Sequence, residues 1–181
     1  MEWYMFCRQF VKDPGSVGSL LPSSRYLARN LIREIDWDRC ETIIELGAGT
    51  GSFTKYLMEA KPAKTKLLVF EKNPIFRLQL VQKFPGISLY NDAVNLEAVL
   101  IAKGIRQVDC IVSGLPFAVF SDAKRQHILG QIHRVLQDGA QFITFQYSPQ
   151  IYRELCVVFS HVQIRFTLLN VPPAILYICR R

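Results

Sequence analysis

Apolar residues alternate along this chain between short continuous runs and stripes with helical spacing. Five runs typical of buried strands lie near residues 42–46, 66–71, 87–91, 108–113 and 140–147. Four helical stripes lie between them, near residues 51–60, 74–83, 95–103 and 121–136. Repeated strand–helix units with short links predict a parallel sheet that is covered by helices on both faces.

The last part of the chain follows a different pattern. Two strand-like runs, residues 161–169 and 174–179, are joined only by Asn170-Val171-Pro172-Pro173. Because this link is too short for a crossover helix, the two runs are expected to form an antiparallel hairpin. The predicted fold is α/β: a single Rossmann-like, seven-stranded and mostly parallel sheet with an antiparallel last strand.

The first forty residues are expected to add helices to this sheet. Residues 1–12 carry one apolar stripe, formed by Trp3, Phe6, Cys7, Phe10 and Val11. The stripe predicts a short amphipathic helix, which Asp13-Pro14-Gly15 ends. A second helix is expected after Pro22, with Ser23 or Ser24 as its N-cap. We therefore predict N-terminal helices in residues 1–40 and a core domain in residues 41–181.

A glycine-rich segment, Glu45-Leu46-Gly47-Ala48-Gly49-Thr50-Gly51, joins the first predicted strand to the helix that follows. Its glycines allow a sharp turn and a close approach of the backbone to a ligand, and the helix offers unpaired N–H groups. Glu71 ends the next predicted strand, where a carboxylate can accept both hydroxyl protons of a ribose. Strand, glycines, helix and acid together predict a nucleotide site.

Two further strand ends are expected to border the same site. Asp92 is placed to accept a hydrogen bond from an adenine amino group, and an N-cap of the next helix is the alternative role. Ala93 would offer its backbone N–H to a ring nitrogen of the adenine. Phe53 and Ile75 suit either a wall for the adenine or core packing. The cofactor-binding residues predicted from the strand ends are Glu45, Gly47, Ala48, Gly49, Thr50, Gly51, Phe53, Glu71, Lys72, Asn73, Asp92, Ala93, Ser113 and Leu115.

The end of the fourth predicted strand bears on the substrate. Enzymes that methylate a ring-conjugated amine, such as N6 of adenine, commonly use Asn/Asp-x-Pro-Tyr/Phe at this position. Here Gly114-Leu115-Pro116-Phe117 keeps the proline and the aromatic residue but has glycine in the acceptor position. Pro116 and Phe117 are the predicted substrate contacts.

The glycine-rich segment looks like motif I of the class I S-adenosylmethionine-dependent methyltransferases. Over nearly its whole length, the chain resembles the bacterial phospholipid N-methyltransferases, which share their fold ancestry with the rRNA adenine dimethylases. The segments that carry this resemblance are Val17-Gly18-Ser19, Pro22-Ser23-Ser24-Arg25, residues 45–53, Glu71-Lys72-Asn73-Pro74, Asp92-Ala93, residues 113–117, Phe145-Gln146-Tyr147 and Leu169-Asn170-Val171-Pro172-Pro173-Ala174.

This resemblance implies an enzyme that uses S-adenosylmethionine to methylate phosphatidylethanolamine or a methylated derivative. It also implies that Ser23 and Ser24 lie near the methionine end of the cofactor. Tyr26 and Tyr147 would be catalytic residues that flank the head group together with Phe117, because aromatic faces suit a cationic amine. The first helix would attach the protein reversibly to a membrane, unless it docks on the domain or on a partner chain.

Charge and composition limit the other choices. A net charge of +7 and a pI near 9.3 predict an anionic partner, such as an acidic membrane surface or RNA, although many soluble enzymes are basic as well. Five scattered cysteines without C-x-x-C spacing indicate free thiols in a reducing compartment and no metal site. With no secretory signal and no run long enough to span a bilayer, the expected location is cytoplasmic and peripheral to the inner face of the membrane.

Two alternatives stay open. An rRNA adenine N6-methyltransferase is favoured by the basic charge and by Leu115-Pro116-Phe117; Gly114 and the end of the chain at Arg181, with no RNA-binding extension, oppose it. A cofactor-binding scaffold without turnover is the second alternative. The sequence does not indicate an oligomeric state.

Overall fold

The computed structural model describes residues 24–167 and 173–181. The strands are β1 (Thr42–Leu46), β2 (Lys66–Phe70), β3 (Ser88–Tyr90), β4 (Val108–Ser113), β5 (Leu136–Gln146), β6 (His161–Thr167) and β7 (Ala174–Arg180). The helices are α1 (Ser24–Arg33), α2 (Ser52–Ala60), α3 (Pro74–Lys83), α4 (Leu96–Ala102), α5 (Asp122–Val135) and α6 (Tyr152–Val158). Short 3-10 turns lie at Trp37–Arg39, Ala93–Asn95 and Phe117–Val119.

All seven strands form one sheet in the order β3-β2-β1-β4-β5-β7-β6. Neighbouring strands are parallel, except that β7 runs antiparallel to β5 and to β6. This confirms the predicted seven-stranded α/β fold with its antiparallel last strand. The chain moves outward from β1 to β2 and β3 and then returns to β4 on the other side of β1. A ligand crevice is therefore expected beyond the carboxyl ends of β1 and β4.

The central strands are buried on both faces, as continuous apolar runs require. On one face Leu31 of α1, Leu57 of α2 and Leu80 of α3 pack over the sheet. On the other face the helices α4, α5 and α6 contribute the core residues Leu96, Leu100, Ile128, Leu129, Ile132 and Leu155. Two helical layers therefore fix the sheet between them.

Element bounds match the pattern closely, with two differences. Strand β5 begins at Leu136, directly after α5, and a register irregularity separates its pairing at Val108 from its pairing at Cys110. Helix α6 was not predicted because it is seven residues long and Leu155 is its one buried residue, so no apolar stripe can develop. Helix α1 begins two residues after Pro22, as expected. The predicted helix in residues 1–12, the cap residue Ser23 and the link at residues 170–172 lie outside the described residues.

Cysteines and helices in the described part also bear on the sequence predictions. Cys40, Cys110 and Cys179 are buried free thiols, and Cys156 is an exposed one. Nowhere in residues 24–167 and 173–181 do three His, Cys, Asp or Glu side chains gather in a way that could hold a metal ion. None of the helices in the same residues is long and apolar enough to cross a bilayer.

Strand β1 contains a buried acid, Glu45, whose side chain lies within the core at 2% exposure. The Thr54 hydroxyl of α2 donates a hydrogen bond to Glu45 Oε2 at 2.7 Å. Burial raises the pKa of the Glu45 carboxyl to about 7; the Thr54 hydrogen bond opposes the rise and the nearby Glu71 adds to it. The folded chain therefore holds this proton more tightly than the unfolded chain does.

We predict that Glu45→Gln becomes more stable relative to the wild type as the pH rises. The Glu45 carboxyl titrates near pH 4.5 in the unfolded chain and near pH 7 in the folded chain. The contribution of the bound proton to the free energy of unfolding is therefore complete below pH 4.5 and is lost as the pH rises through 7. Glutamine does not titrate and still accepts from Thr54. At 1.36 kcal/mol per pKa unit, the stability difference should shift by about 3 kcal/mol between pH 4.5 and pH 8.

Urea denaturation at intervals across this pH range measures the difference. The exposed Glu59→Gln on α2 is the control, and its stability should differ from that of the wild type by a constant amount, within about 0.5 kcal/mol. A Glu45→Gln difference that stays flat with pH would contradict the raised pKa.

Candidate functional site

The loop between β1 and α2 owes its shape to glycines. Gly47 and Gly51 have φ angles of 77° and 85°, in the left-handed region that favours glycine. A Cβ on Gly47 would lie 2.8 Å from the Leu115 side chain, and a Cβ on Gly51 would lie 2.8 Å from the Phe84 ring. At Gly49, with φ 55°, no atom of any residue other than its two chain neighbours lies within 4 Å of where a Cβ would stand. The loop is thus packed at both ends and open in the middle, where a ligand can approach its backbone.

Glu71 lies directly beside this opening. Its Oε2 accepts a hydrogen bond from the Gly49 N–H at 2.7 Å, and its Oε1 accepts one from the Asn73 N–H at 2.7 Å. The residue is 8% exposed, so the two bonds hold the carboxylate in one orientation. Since each carboxylate oxygen can accept two hydrogen bonds, one further acceptor position remains on each. Glu71 can therefore accept two hydroxyl protons from one ligand.

Asp92 follows β3 and serves as an N-cap in this structure. Its Oδ1 accepts from the Val94 N–H at 3.1 Å, and its Oδ2 lies 3.2 Å from the Lys72 ammonium. The Lys72 side chain remains 74% exposed, whereas that of Asp92 is 21% exposed. Ala93, the next residue, is buried. The ion pair links the segment after β2 to the segment after β3, and the Asp92 oxygens keep acceptor capacity beyond the cap.

The segment after β4 is pressed against the glycine-rich loop. The Gly114 N–H donates to the Leu46 carbonyl at 2.9 Å, and a Cβ on Gly114 would stand 3.0 Å from the Gly47 carbonyl oxygen. Ser113 Oγ accepts from the Leu115 N–H at 3.2 Å. A Cβ at position 114 would therefore require the Gly47 carbonyl to shift by a few tenths of an ångström.

Gln146 at the end of β5 is a site residue that the sequence analysis missed. Its Nε2 donates to the Leu115 carbonyl at 3.0 Å, and the side chain is buried at 4% exposure. It therefore fixes the backbone of the segment after β4 from the neighbouring strand. The only signal in the sequence is a polar residue at the end of an apolar run, next to Tyr147.

Aromatic side chains form a row beside the same strand end. The Phe53 ring of α2 stacks on Phe145 with 5.2 Å between centroids, and Phe145 meets Tyr147 edge-on at 5.9 Å. Phe53, expected as an adenine wall or as packing, thus contacts Phe145. Tyr147 is half-buried, whereas Tyr26, in the first turn of α1, is 38% exposed.

The structure places Phe117 in the core, which corrects the expectation that its ring flanks the substrate. Phe117 is fully buried and meets the rings of Phe120 and Phe142 edge-on at 5.9 and 6.3 Å. The Arg125 guanidinium donates to the Phe120 carbonyl at 3.2 Å and to Glu154 at 2.7 Å, which holds this turn against α5 and α6. Pro116 is the half-buried residue before the turn and stays at the strand end.

The other predicted residues fall on adjacent strand ends. The segments after β1, β2, β3 and β4 meet at the carboxyl edge of four neighbouring strands, so the fold brings together Gly47, Ala48, Gly49, Thr50, Gly51, Glu71, Lys72, Asn73, Asp92, Ala93 and Leu115. Glu45 and Ser113 belong to the strands β1 and β4 themselves, and both are buried. Ser23 lies outside the described residues, as does the side chain of Ser24. Ile75 is exposed on α3 and packs neither in the core nor under another described element.

Comparison with known proteins places this chain in a family. The chain is 30% identical to an ornithine lipid N-methyltransferase of Singulisphaera acidiphila, over 99% of this chain and 96% of that protein. It is 27% identical to a ribosomal RNA small subunit methyltransferase A of Hydrogenobaculum sp., over 61% of this chain and 42% of that protein. No family model matches the chain.

A solved structure shows the same fold. The 1,6-didemethyltoxoflavin-N1-methyltransferase of Burkholderia thailandensis, with bound 1,6-didemethyltoxoflavin and S-adenosylhomocysteine, superimposes with a TM-score of 0.70. It is 14% identical in sequence and covers 97% of this chain and 87% of its own. With the full-length sequence match, the chain belongs to the class I S-adenosylmethionine-dependent methyltransferases, in the family of the ornithine lipid N-methyltransferase.

Proposed function

We propose that this protein transfers methyl groups from S-adenosylmethionine to the primary amine of a membrane lipid, with phosphatidylethanolamine as the expected acceptor. The observation that carries the lipid assignment is the match over the whole length to a lipid N-methyltransferase. Ornithine lipid, on which that relative acts by name, also presents an amine, so both lipids belong in the test.

The residues at the carboxyl edge of the sheet fit this cofactor. The Glu71 carboxylate, held by the Gly49 and Asn73 N–H groups, keeps two acceptor positions for the ribose hydroxyls. The Asp92 oxygens bond to the Val94 N–H and to Lys72 but can still accept a hydrogen bond from the adenine amino group. The Ala93 N–H would donate to a ring nitrogen of the adenine. The open backbone at Gly49 leaves room for the methionine part of the cofactor.

The cofactor supplies a methyl group that its sulfonium already activates, so the protein mainly has to hold the amine in line with that methyl group. The amine must arrive without its proton, and burial at the site favours the neutral form. We assign Tyr26 and Tyr147 to the head group, where aromatic faces suit a cationic amine as it enters. Pro116 and the Leu115 carbonyl, which Gln146 fixes, would border the same space.

The N-terminal part completes this proposal. Residues 1–40 would cover the cofactor, with Ser23 and Ser24 near its methionine end, and residues 41–181 would carry the remainder of the site. The amphipathic stripe of residues 1–12 would attach the protein reversibly to the inner face of the membrane.

An rRNA adenine methyltransferase is the alternative, and the partial match to such an enzyme supports it. The geometry at Gly114 opposes it. An acceptor for an adenine amino hydrogen would need a side chain at this position, where even a Cβ would lie only 3.0 Å from the Gly47 carbonyl oxygen. Ser113 does not replace it, because its hydroxyl accepts from the Leu115 N–H and the residue is fully buried.

We predict that Glu71→Ala weakens binding of S-adenosylmethionine at least tenfold. The substitution removes two charge-assisted hydrogen bonds to the ribose and releases the Gly49 N–H that orients the loop. Isothermal titration calorimetry measures the affinity. Glu97→Ala on α4 is the control, because this half-buried acid pairs with Arg134 of α5 and has no predicted contact with the cofactor, and the affinity of this variant should match that of the wild type. Wild-type affinity in Glu71→Ala would remove Glu71 from the ribose role.

We predict that the full-length protein labels lipid and leaves RNA unlabelled. Radiolabelled S-adenosylmethionine is supplied with vesicles that contain phosphatidylethanolamine, with vesicles that contain ornithine lipid, and with ribosomal RNA that lacks adenine methylation. Transfer to either lipid supports the proposal, and the ratio of the two rates identifies the preferred head group. Transfer to the RNA alone would establish the alternative, and binding without any transfer would indicate a scaffold.

A further inference from the structure

Helix α3 has apolar side chains on two opposite faces. Leu80 is fully buried against the sheet, and Phe76 and Phe84 are half-buried beside it. On the outward face Ile75 is 65% exposed, Leu78 is 60% exposed and Val81 is 51% exposed. Residues three apart are neighbours on a helix surface, so these three form one continuous stripe. We call Ile75, Leu78 and Val81 the α3 stripe.

A helix with two apolar faces is expected to be packed against something on both. A helix on the surface of a globular protein normally shows polar residues on its solvent face, whereas a helix that is apolar all round is normally buried. Within residues 24–167 and 173–181 the sheet covers one apolar face of α3, and the α3 stripe faces solvent. Single exposed apolar side chains are ordinary, but a continuous stripe on a rigid helix indicates a contact surface.

The charges beside the α3 stripe are positive. At 100° per residue Arg77 stands on one flank of the stripe and Lys83 on the other, and α3 contains no acidic residue. Arg77 donates to the Lys72 carbonyl at 3.1 Å and Lys83 donates to the Thr50 carbonyl at 2.9 Å. Neither side chain takes part in an ion pair among the described residues. Their charges are therefore available to an anionic surface.

The α3 stripe also borders the cofactor site. Helix α3 begins directly after Asn73, whose side chain caps it, and Glu71 lies two residues earlier. The Lys83 ammonium at the other end of the helix bonds to the glycine-rich loop at Thr50. A surface that contacts α3 would thus lie beside the opening through which ligands reach the loop.

We propose that α3 docks on the anionic surface of a lipid bilayer, with the α3 stripe inserted at the level of the head groups and with Arg77 and Lys83 against lipid phosphates. An apolar stripe flanked by cations is the arrangement of helices that lie in a membrane interface. The proposal rests on the proposed lipid substrate, and it adds a contact made by the core domain, separate from residues 1–12.

Vesicle flotation tests this contact in the full-length chain. We compare Leu78→Ser/Val81→Ser with the wild type on vesicles of phosphatidylglycerol and phosphatidylethanolamine, and we expect at least a tenfold loss of the partition coefficient. The matched control is Ile101→Ser/Val157→Ser, which removes two side chains of 71% and 87% exposure from α4 and α6 in the opposite helical layer. The control should partition like the wild type. Equal losses in both variants, or none in the first, would overturn the docking surface.

A second pair of measurements tests the charges. Arg77→Gln/Lys83→Gln should weaken binding to the anionic vesicles several-fold and should flatten its dependence on salt. On vesicles of phosphatidylcholine alone the variant and the wild type should bind equally. An equal loss on both kinds of vesicle would show that the two cations do not contact anionic lipid.

A fluorescent probe distinguishes the bilayer from a protein cover. Leu78→Cys is labelled with an environment-sensitive dye in a chain where Cys7 and Cys156 are serine. The emission should resemble that of an exposed dye in buffer and should shift to the blue when anionic vesicles are added. A blue-shifted emission in buffer would mean that residues 1–12 or a second copy of the chain cover the stripe, and it would overturn the proposal.

The docking surface can be tested separately from the proposed lipid substrate. Leu78→Ser/Val81→Ser should keep wild-type affinity for S-adenosylmethionine and wild-type turnover of a short-chain, monomeric phosphatidylethanolamine, while its turnover on vesicles falls with its binding. If the wild type methylates no lipid but the variant still loses vesicle binding, the docking surface stands and the proposed function fails. If the wild type methylates vesicles and the variant does so equally well, the reverse holds.

Discussion

The two hydrogen bonds that Glu71 accepts hold the candidate site in one geometry. Its carboxylate accepts from the Gly49 N–H in the loop after β1 and from the Asn73 N–H just before α3. It therefore links these two segments. Because the residue is almost fully buried, the charge is fixed in place before any ligand arrives. A carboxylate that is already held in one orientation loses little conformational entropy when it accepts further hydrogen bonds. This is the physical basis of preorganised binding.

A second constraint acts from the other side of β1. The segment after β4 lies so close to the glycine-rich loop that Gly114 has no space for a Cβ without displacing the Gly47 carbonyl. Gln146 and Arg125 hold this segment by its backbone carbonyls from β5 and α5. The shape of the site is thus set by backbone contacts between neighbouring strand ends, and a side chain at position 114 would require the Gly47 carbonyl to shift.

Most of the fold could be predicted from the sequence, and so could the meeting of the predicted cofactor segments at one edge of the sheet, because both depend on local patterns. Apolar runs located β1 to β7, and the spacing from Gly51 to Glu71 located the acid. Three features depend on tertiary packing and could not be predicted from the pattern of apolar residues. Helix α6 has too few buried residues to show a stripe, Gln146 acts across strands, and the chain turns at Pro116 so that the Phe117 ring enters the core.

The proposed docking surface on α3 would connect the cofactor side of the molecule to a membrane. Helix α3, which follows Glu71, packs on the sheet through Leu80, so the direction of its opposite face is fixed as well. That face carries Leu78 and Val81, which have no packing role in the described part of the chain. A lipid amine reaches a bilayer-bound enzyme only from the interface, and a rigid apolar helix beside the strand ends would keep the cofactor at that depth. The same sheet edge can thereby orient both the methyl donor and the surface that presents the acceptor.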